Sequence, residues 1–136
     1  MQQAAFKLDE YRFTKASLDF TLPSDAGLML SFNPQGVFNQ TQARYELTFD
    51  VMITCKETGA LVVGVSCVAS FSFENVHDLS DIPDYFYPNS IAILFPYIRA
   101  FVSTMSLQAN IQPILLPTVN LIGLTDDLKN NTKVSD

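Results

Sequence analysis

Charged side chains are scarce in this chain, since Asp, Glu, Lys and Arg together account for 16% of its 136 residues, against about 25% in a typical soluble domain. Tryptophan is absent and glycine occurs only five times. The sequence also lacks the glycine-rich phosphate loop of nucleotide-binding proteins and the Gly-x-Ser-x-Gly motif of serine hydrolases. With no set of acids, bases or nucleophiles that could converge, the sequence predicts a protein without catalytic activity and without a cofactor.

Histidine is nearly absent as well, which bears on metal binding. The single histidine, His77, has no partner at Glu-x-x-His or His-x-His spacing. Asp78, Asp81 and Asp84 follow it, but without the glycine and the terminal glutamate that a calcium-binding loop requires. We therefore expect solvated charge in a surface loop and no metal site.

Only two cysteines are present, Cys55 and Cys67. They lie on predicted strands that flank a turn at residues 56–59, in a register that sets Cys67 opposite Thr48. This register keeps the two thiols too far apart for a disulfide. We expect two free thiols, buried or half-buried, as is usual in a reducing compartment.

Positive charge and long apolar runs are also missing. The net charge of −6 would repel a phosphate backbone, so nucleic acid is not an expected partner. Pro96 and Arg99 interrupt the most apolar stretch, residues 91–102, which is shorter than the roughly 20 residues of a membrane helix. The first residues show no charged start followed by an apolar run, so no signal peptide is expected. The sequence predicts one cytoplasmic domain, residues 1–136, without membrane insertion.

What the chain has in excess is apolar and aromatic side chains. Eleven Phe and five Tyr contribute to a hydrophobic fraction of 48%, and this load exceeds what a small core readily buries. A subunit interface or an apolar groove would take the excess, and the alternative is an unusually apolar monomer. We expect an oligomer, a dimer at minimum and by preference a tetramer.

Alternating apolar and polar residues predict strands in the first half of the chain. These strands cover residues 6–22, 28–32, 45–53 and 60–73. The first should contain a bulge or bend at residues 14–16, and the polar segment 33–36 should end the second. Because hairpin turns connect most of the strands, the pattern predicts a four-stranded antiparallel sheet.

A long helix is expected after the strands. It should begin at Asn89 or Ser90, as its N-cap, and run to about Gln108. Pro96 costs it a backbone hydrogen bond, so this residue either kinks the helix or marks the start of its regular part. Apolar residues at helical spacing form the stripe expected to lie on the sheet: Ile91, Leu94, Phe95, Ile98, Val102 and Met105.

The helix also has a second apolar flank, formed by Ile93, Tyr97 and Phe101. This flank is too apolar for water alone and predicts contact with another helix or another chain. After the helix, two prolines and the loss of helical spacing predict an extended arm over residues 111–121. The remainder should form a short helical turn, 122–128, and a frayed polar end, 129–136.

Two short motifs stand out in the second half of the chain. Residues 93–97 read Ile-Leu-Phe-Pro-Tyr, and residues 116–120 read Leu-Pro-Thr-Val-Asn. With the stretch 87–121 around them, they resemble the SecB export-chaperone family. The resemblance implies an α+β fold: a four-stranded antiparallel sheet with one long helix packed on it and an extended C-terminal arm. The second C-terminal helix would be short or missing here.

The resemblance also implies a function. It is that of an ATP-independent holdase, a homotetramer that binds non-native polypeptides or preproteins in an apolar groove, with protein export as one context. The residues implied to contact the client are Tyr97, Phe101, Ile114 and Leu115. Those implied to shape the helix start and the arm are Leu94, Phe95, Pro96, Pro113, Leu116, Pro117, Val119 and Asn120. For both sets the alternative is a purely structural role.

Three departures from the family pattern limit what the resemblance implies. The C-terminal region is short, and it lacks the cysteine-rich zinc-binding tail. The acidic positions at which the family docks the SecA motor are Ser17, Thr21 and Gly64 here, so SecA stays an open question. An alternative is a fixed-partner adaptor or scaffold, such as a chaperone associated with a toxin–antitoxin pair.

Overall fold

The computed structural model describes residues 5–21, 27–116 and 122–135. Five strands form one sheet in the order β1-β4-β3-β2-β5, and the long helix α1 packs on one face of it. In chain order the elements are β1 (Ala5–Leu18), β2 (Leu28–Asn39), β3 (Arg44–Cys55), β4 (Leu61–Glu74), a 3-10 turn (Leu79–Asp81), α1 (Phe86–Gln108), α2 (Ile122–Asn130) and β5 (Thr132–Ser135).

The prediction of a four-stranded antiparallel sheet is wrong in one respect, because the sheet has five strands and is mixed. The fifth strand, β5, runs parallel to β2 along Gly36–Asn39. We expected a frayed end at 129–136, where the short polar strand has no alternating pattern of its own. The strand forms because α2, which is short as expected, returns the chain to the free edge of β2.

The alternation of β3 and β4 is confirmed and builds the core. Inward residues of β3 are at most 3% exposed: Tyr45, Leu47, Phe49, Val51 and Ile53. On β4, strict alternation from 60 to 73 would place Leu61 inward, but it is 40% exposed, because the register shifts between Ile53 and Thr54. Cys67 pairs with Phe49 rather than Thr48, and both cysteines are free and buried.

β1 contains two bulges where one was expected. The predicted irregularity at 14–16 is confirmed by a register shift between Phe13 and Lys15, and a second shift lies between Leu8 and Glu10. Each shift inserts one extra residue, so each reverses which side chains face inward. As a result Tyr11, opposite the buried Ala69, faces α1.

β2 continues through the segment 33–36, which we expected to end it. Pro34 pairs with Phe49 and Gly36 with Leu47. The Pro34 carbonyl accepts a hydrogen bond from the Asn131 side chain at 3.4 Å, and the Gly36 N–H donates to the Asn131 carbonyl at 3.2 Å. The backbone groups of these residues therefore point away from β3, so the missing N–H of Pro34 removes no bond from the β2–β3 ladder.

α1 begins at Phe86, three residues before the expected cap, and Tyr85 makes no side-chain capping bond. Burial of Phe86 and Tyr87 against the core extends the helix beyond what capping preferences predict. The predicted stripe is confirmed, with Met105 half-buried and its other members buried. By length and composition α1 could span a membrane, but its buried face forms the core of this domain.

Candidate functional site

Four aromatic rings form two stacked pairs between β1 and α1. Tyr11 stacks on Tyr97 with ring centres 4.3 Å apart, and Phe13 stacks on Phe101 at 4.1 Å. Tyr11 is 38% exposed and Tyr97 41%, while both phenylalanines are partly buried. We call this set the aromatic flank; it is an apolar surface that solvent reaches along the β1 side of α1.

The aromatic flank follows from two local patterns. Tyr97 and Phe101 are four residues apart, so they lie one above the other on α1. The two bulges of β1 turn Tyr11 and Phe13 toward them. The second flank of the helix was expected to contact another helix or another chain, and it contacts β1 of the same chain instead.

The arm after α1 lies at a different place. The Ile114 N–H donates to the Ser106 hydroxyl at 2.8 Å, and Ile114 is packed against the core. Its neighbour Leu115 is 72% exposed, whereas Leu116 is 2% exposed. The arm is therefore held on the core by Ile114 and Leu116, while Leu115 between them points into solvent.

The four predicted client-contacting residues do not form one groove. Ser106, to which Ile114 is bonded, follows Tyr97 by nine residues, or about two and a half turns, so the two point to opposite sides of α1. Phe95 lies on the same side of α1 as Ser106. This side faces β2, because the ring of Phe95 lies 5.9 Å from that of Phe32. Strands β4 and β3 separate β1 from β2, so Tyr97 and Phe101 lie apart from Ile114 and Leu115.

The motif residues of α1 and the arm have different environments. Leu94 and Phe95 are buried in the core. Pro96 and Pro113 are exposed, and Leu116 is buried. The remaining motif residues, Pro117, Val119 and Asn120, lie outside the described residues.

Sequence reasoning missed Tyr11 and Phe13. The signal was present in the apolar spacing of the first strand, which alternates between two and three residues: Phe6, Leu8, Tyr11, Phe13, Ala16 and Leu18. A strand with a bulge at each three-residue step keeps all six residues on one face, as the observed register does. Strict alternation of inward and outward residues would instead place Glu10 on the same face as Leu8, and Tyr11 on the opposite face.

The sheet face turned away from α1, the outer face, carries broad shallow depressions. One has a volume of about 660 Å³ and is bordered by Lys15, Asp50 and Leu61 among others. Ser17 and Gly64, two of the positions that the family resemblance assigned to motor docking, pair across β1 and β4 there. Neither is acidic.

The ionisable groups of the described residues have ordinary structural environments. Among the side chains in the described ranges, no three His, Cys, Asp or Glu residues converge as metal ligands. Burial raises the pKa of the Cys67 thiol to about 11, which favours the unreactive protonated form. Hydrogen bonds from the backbone N–H groups of His77 and Asp78 lower the pKa of Asp81, as expected for the cap of a surface turn.

Comparison with known proteins agrees with this architecture. The family model described as preprotein translocase subunit SecB matches residues 25–131. The fold is similar to that of the Rv1957 SecB-like chaperone of Mycobacterium tuberculosis, solved with a ChAD peptide from the Rv1956 HigA1 antitoxin, with a TM-score of 0.69, 14% identity and coverage of 85% of this chain and 88% of that one.

A second similarity is local. A Methanocaldococcus jannaschii protein of unknown function, MJ0357, is 49% identical over 41 residues, which are 30% of this chain and 26% of that protein. This match therefore spans about a quarter of the relative's length. A Streptococcus agalactiae protein of unknown function aligns over 85% of this chain and 98% of that one, with 10% identity and a TM-score of 0.35.

Proposed function

The chain belongs to the SecB family, and on that premise we propose that it is an ATP-independent cytoplasmic holdase for segments of non-native polypeptide. The observation that carries the proposal is the aromatic flank, where Tyr11 and Tyr97 remain about 40% exposed. Rings in such positions can add apolar contact without moving the core. The role needs neither a nucleotide nor a catalytic group.

The energetics favour capture by several weak contacts. Burial of one large apolar side chain contributes about 1.5–3 kcal/mol, and association itself costs several kcal/mol. One client side chain on the aromatic flank therefore binds weakly. Leu115, 72% exposed on the other side of α1, offers a second, separate contact. A client that wraps several such surfaces on one oligomer would gain affinity through multivalency.

Two further surfaces support self-association. Arg99 is the only charged residue of α1, and the exposed side of this helix carries the small residues Ala92, Pro96 and Ala100. Such a surface suits close packing with a second helix. In the ranges described, no strand pairs with the outer edge of β1, so that edge could accept a second copy. We propose a dimer at minimum and a tetramer as the working form.

The test is suppression of aggregation of a reduced, unfolded lactalbumin, followed by light scattering. The variant Tyr11→Ser/Tyr97→Ser should lose apparent affinity by roughly tenfold, because two apolar contact surfaces are removed. The matched control is Val37→Ser/Met52→Ser, which removes two side chains that are each 40% exposed but lie on the outer face. Circular dichroism should be unchanged in both.

The outcomes separate the site from the function. If the control loses capture and the aromatic-flank variant does not, clients bind the outer face. If the unaltered protein fails to suppress aggregation of this lactalbumin and of a second unrelated protein, the general holdase proposal is wrong.

A fixed-partner adaptor is the second candidate, and one observation favours it. The structurally similar Rv1957 protein was solved with a peptide from a single antitoxin. If this chain has the same kind of role, it should bind one dedicated partner and leave unrelated unfolded proteins to aggregate. Export coupling has less support, because Ser17 and Gly64 put no carboxylate at those motor-docking positions.

A further inference from the structure

The side chain of Tyr45 extends from β3 across β2 to β5. Its hydroxyl lies 2.5 Å from that of Thr132, and Gly36 lies beneath its path, since a Cβ there would overlap the tyrosine. Thr132 donates its own hydrogen to the Leu128 carbonyl at 2.7 Å, so Tyr45 must be the donor to Thr132. Burial raises the pKa of Tyr45, which keeps this hydrogen in place.

Helix α2 and strand β5, here called the C-terminal unit, are small. Besides the contact of Tyr45 with Thr132, they are held by the parallel pairing of β5 with β2, by Leu128 in the core and by Leu124 packed against it. α2 has nine residues, fewer than the roughly 12–15 at which an isolated helix becomes marginally stable. β5 has four residues. Leu128 is the one buried side chain among those described in the unit. Lys129 pairs with Asp84 at 2.9 Å, but exposed ion pairs contribute little. The unit can therefore open locally while β3 and β4 stay folded.

The place that β5 occupies has the features of a polypeptide-binding site. The N–H groups of Gly36 and Gln40 donate to carbonyls of Asn131 and Ser135, so this edge of β2 can accept a strand. Beneath it lie the buried Phe38 and the ring of Tyr45. Without β5, the edge would present free backbone donors, a tyrosine hydroxyl and an aromatic floor, which together suit an extended peptide.

We propose that β5 is a displaceable strand that occupies a second polypeptide-binding edge from within the chain. An extended client segment takes the place of β5 parallel to β2, with a hydroxyl residue where Thr132 meets Tyr45. The client role of this edge rests on the holdase function proposed above. The contact of β5 with β2 is thus autoinhibitory, and the hydrogen bond between Tyr45 and Thr132 controls how easily β5 is displaced.

The experiment uses the full chain and a fluorescent peptide with the sequence of residues 126–135. In Thr132→Val the hydroxyl link is lost but the shape is kept, so the internal strand should hold its place less firmly. Thr132→Val removes two neutral hydrogen bonds of the internal strand, from Tyr45 and to the Leu128 carbonyl. Peptide affinity, measured by fluorescence anisotropy, should therefore rise by roughly tenfold. The matched control Thr125→Val, on α2 of the same C-terminal unit, should bind the peptide as the unaltered chain does.

Hydrogen exchange gives an independent readout. In Thr132→Val the amides of β5 should exchange faster while those of β3 and β4 keep their protection. Equal peptide affinity in all three proteins, or unchanged exchange in β5, would overturn the proposal. If the peptide binds Thr132→Val more tightly but no variant suppresses aggregation, the displaceable strand stands and the holdase function fails.

Discussion

At the scale of single residues, Gly36 decides how the C-terminal unit is attached. Its φ is not in the left-handed region, so the requirement for glycine comes from space alone: the Tyr45 ring passes where a Cβ would be. Gly123, on α2, has no atom within 4 Å of the corresponding position. An added methyl group would therefore clash with Tyr45 at position 36 but would meet no other side chain at position 123.

Gly36→Ala should lower the free energy of unfolding by about 1–3 kcal/mol, because overpacking forces Tyr45 or β2 to shift. Gly123→Ala should raise it by about 0.4–1 kcal/mol, because it restricts the unfolded chain without a clash. Urea denaturation measures both. Equal stability of the two variants would contradict the path assigned to Tyr45.

At the scale of elements, the arm after α1 shows how neighbours in one segment divide their roles. Ile114 is held by its N–H to Ser106 and packs on the core, as Leu116 does. Leu115 between them is 72% exposed. An extended chain places successive side chains on opposite sides, so the arm can be anchored and still present one large apolar side chain.

Leu115→Ser should change the free energy of unfolding by less than about 0.5 kcal/mol, as is usual for exposed positions. Ile114→Ser should cost about 1–3 kcal/mol, because it removes packed surface and adds a hydroxyl. Light-scattering assays of the two variants then test the client-binding prediction for each residue separately. If Leu115→Ser keeps full capture, Leu115 is not a client contact.

At the scale of the whole molecule, the low charge of α1 bears on self-association. Its exposed side carries Ala92, Pro96 and Ala100 at intervals of four residues. Exposure of this surface to water costs little free energy. A second helix can nevertheless approach it closely, because the side chains of Ala92, Pro96 and Ala100 are small.

Ala100→Glu should shift the protein toward smaller oligomers, because a buried unpaired carboxylate is costly at an interface. Sedimentation velocity would give the mass, which for the unaltered chain should be a multiple of 15.1 kDa. Gln112→Glu adds the same charge on the exposed arm and should leave the mass unchanged. A mass of one chain for the unaltered protein at micromolar concentration would contradict the proposed oligomer.

The sequence by itself determined the core strands β3 and β4, the buried stripe of α1, the free cysteines and the family. These depend on local periodicity or on a continuous motif, and both can be read along the chain. Only the tertiary structure decided the fifth strand, the turning of Tyr11 and Phe13 toward α1, and the separation of Tyr97 from Leu115. Each of these depends on which remote backbone lies alongside, and hydrogen bonds between remote segments leave no periodic pattern in the residues that make them.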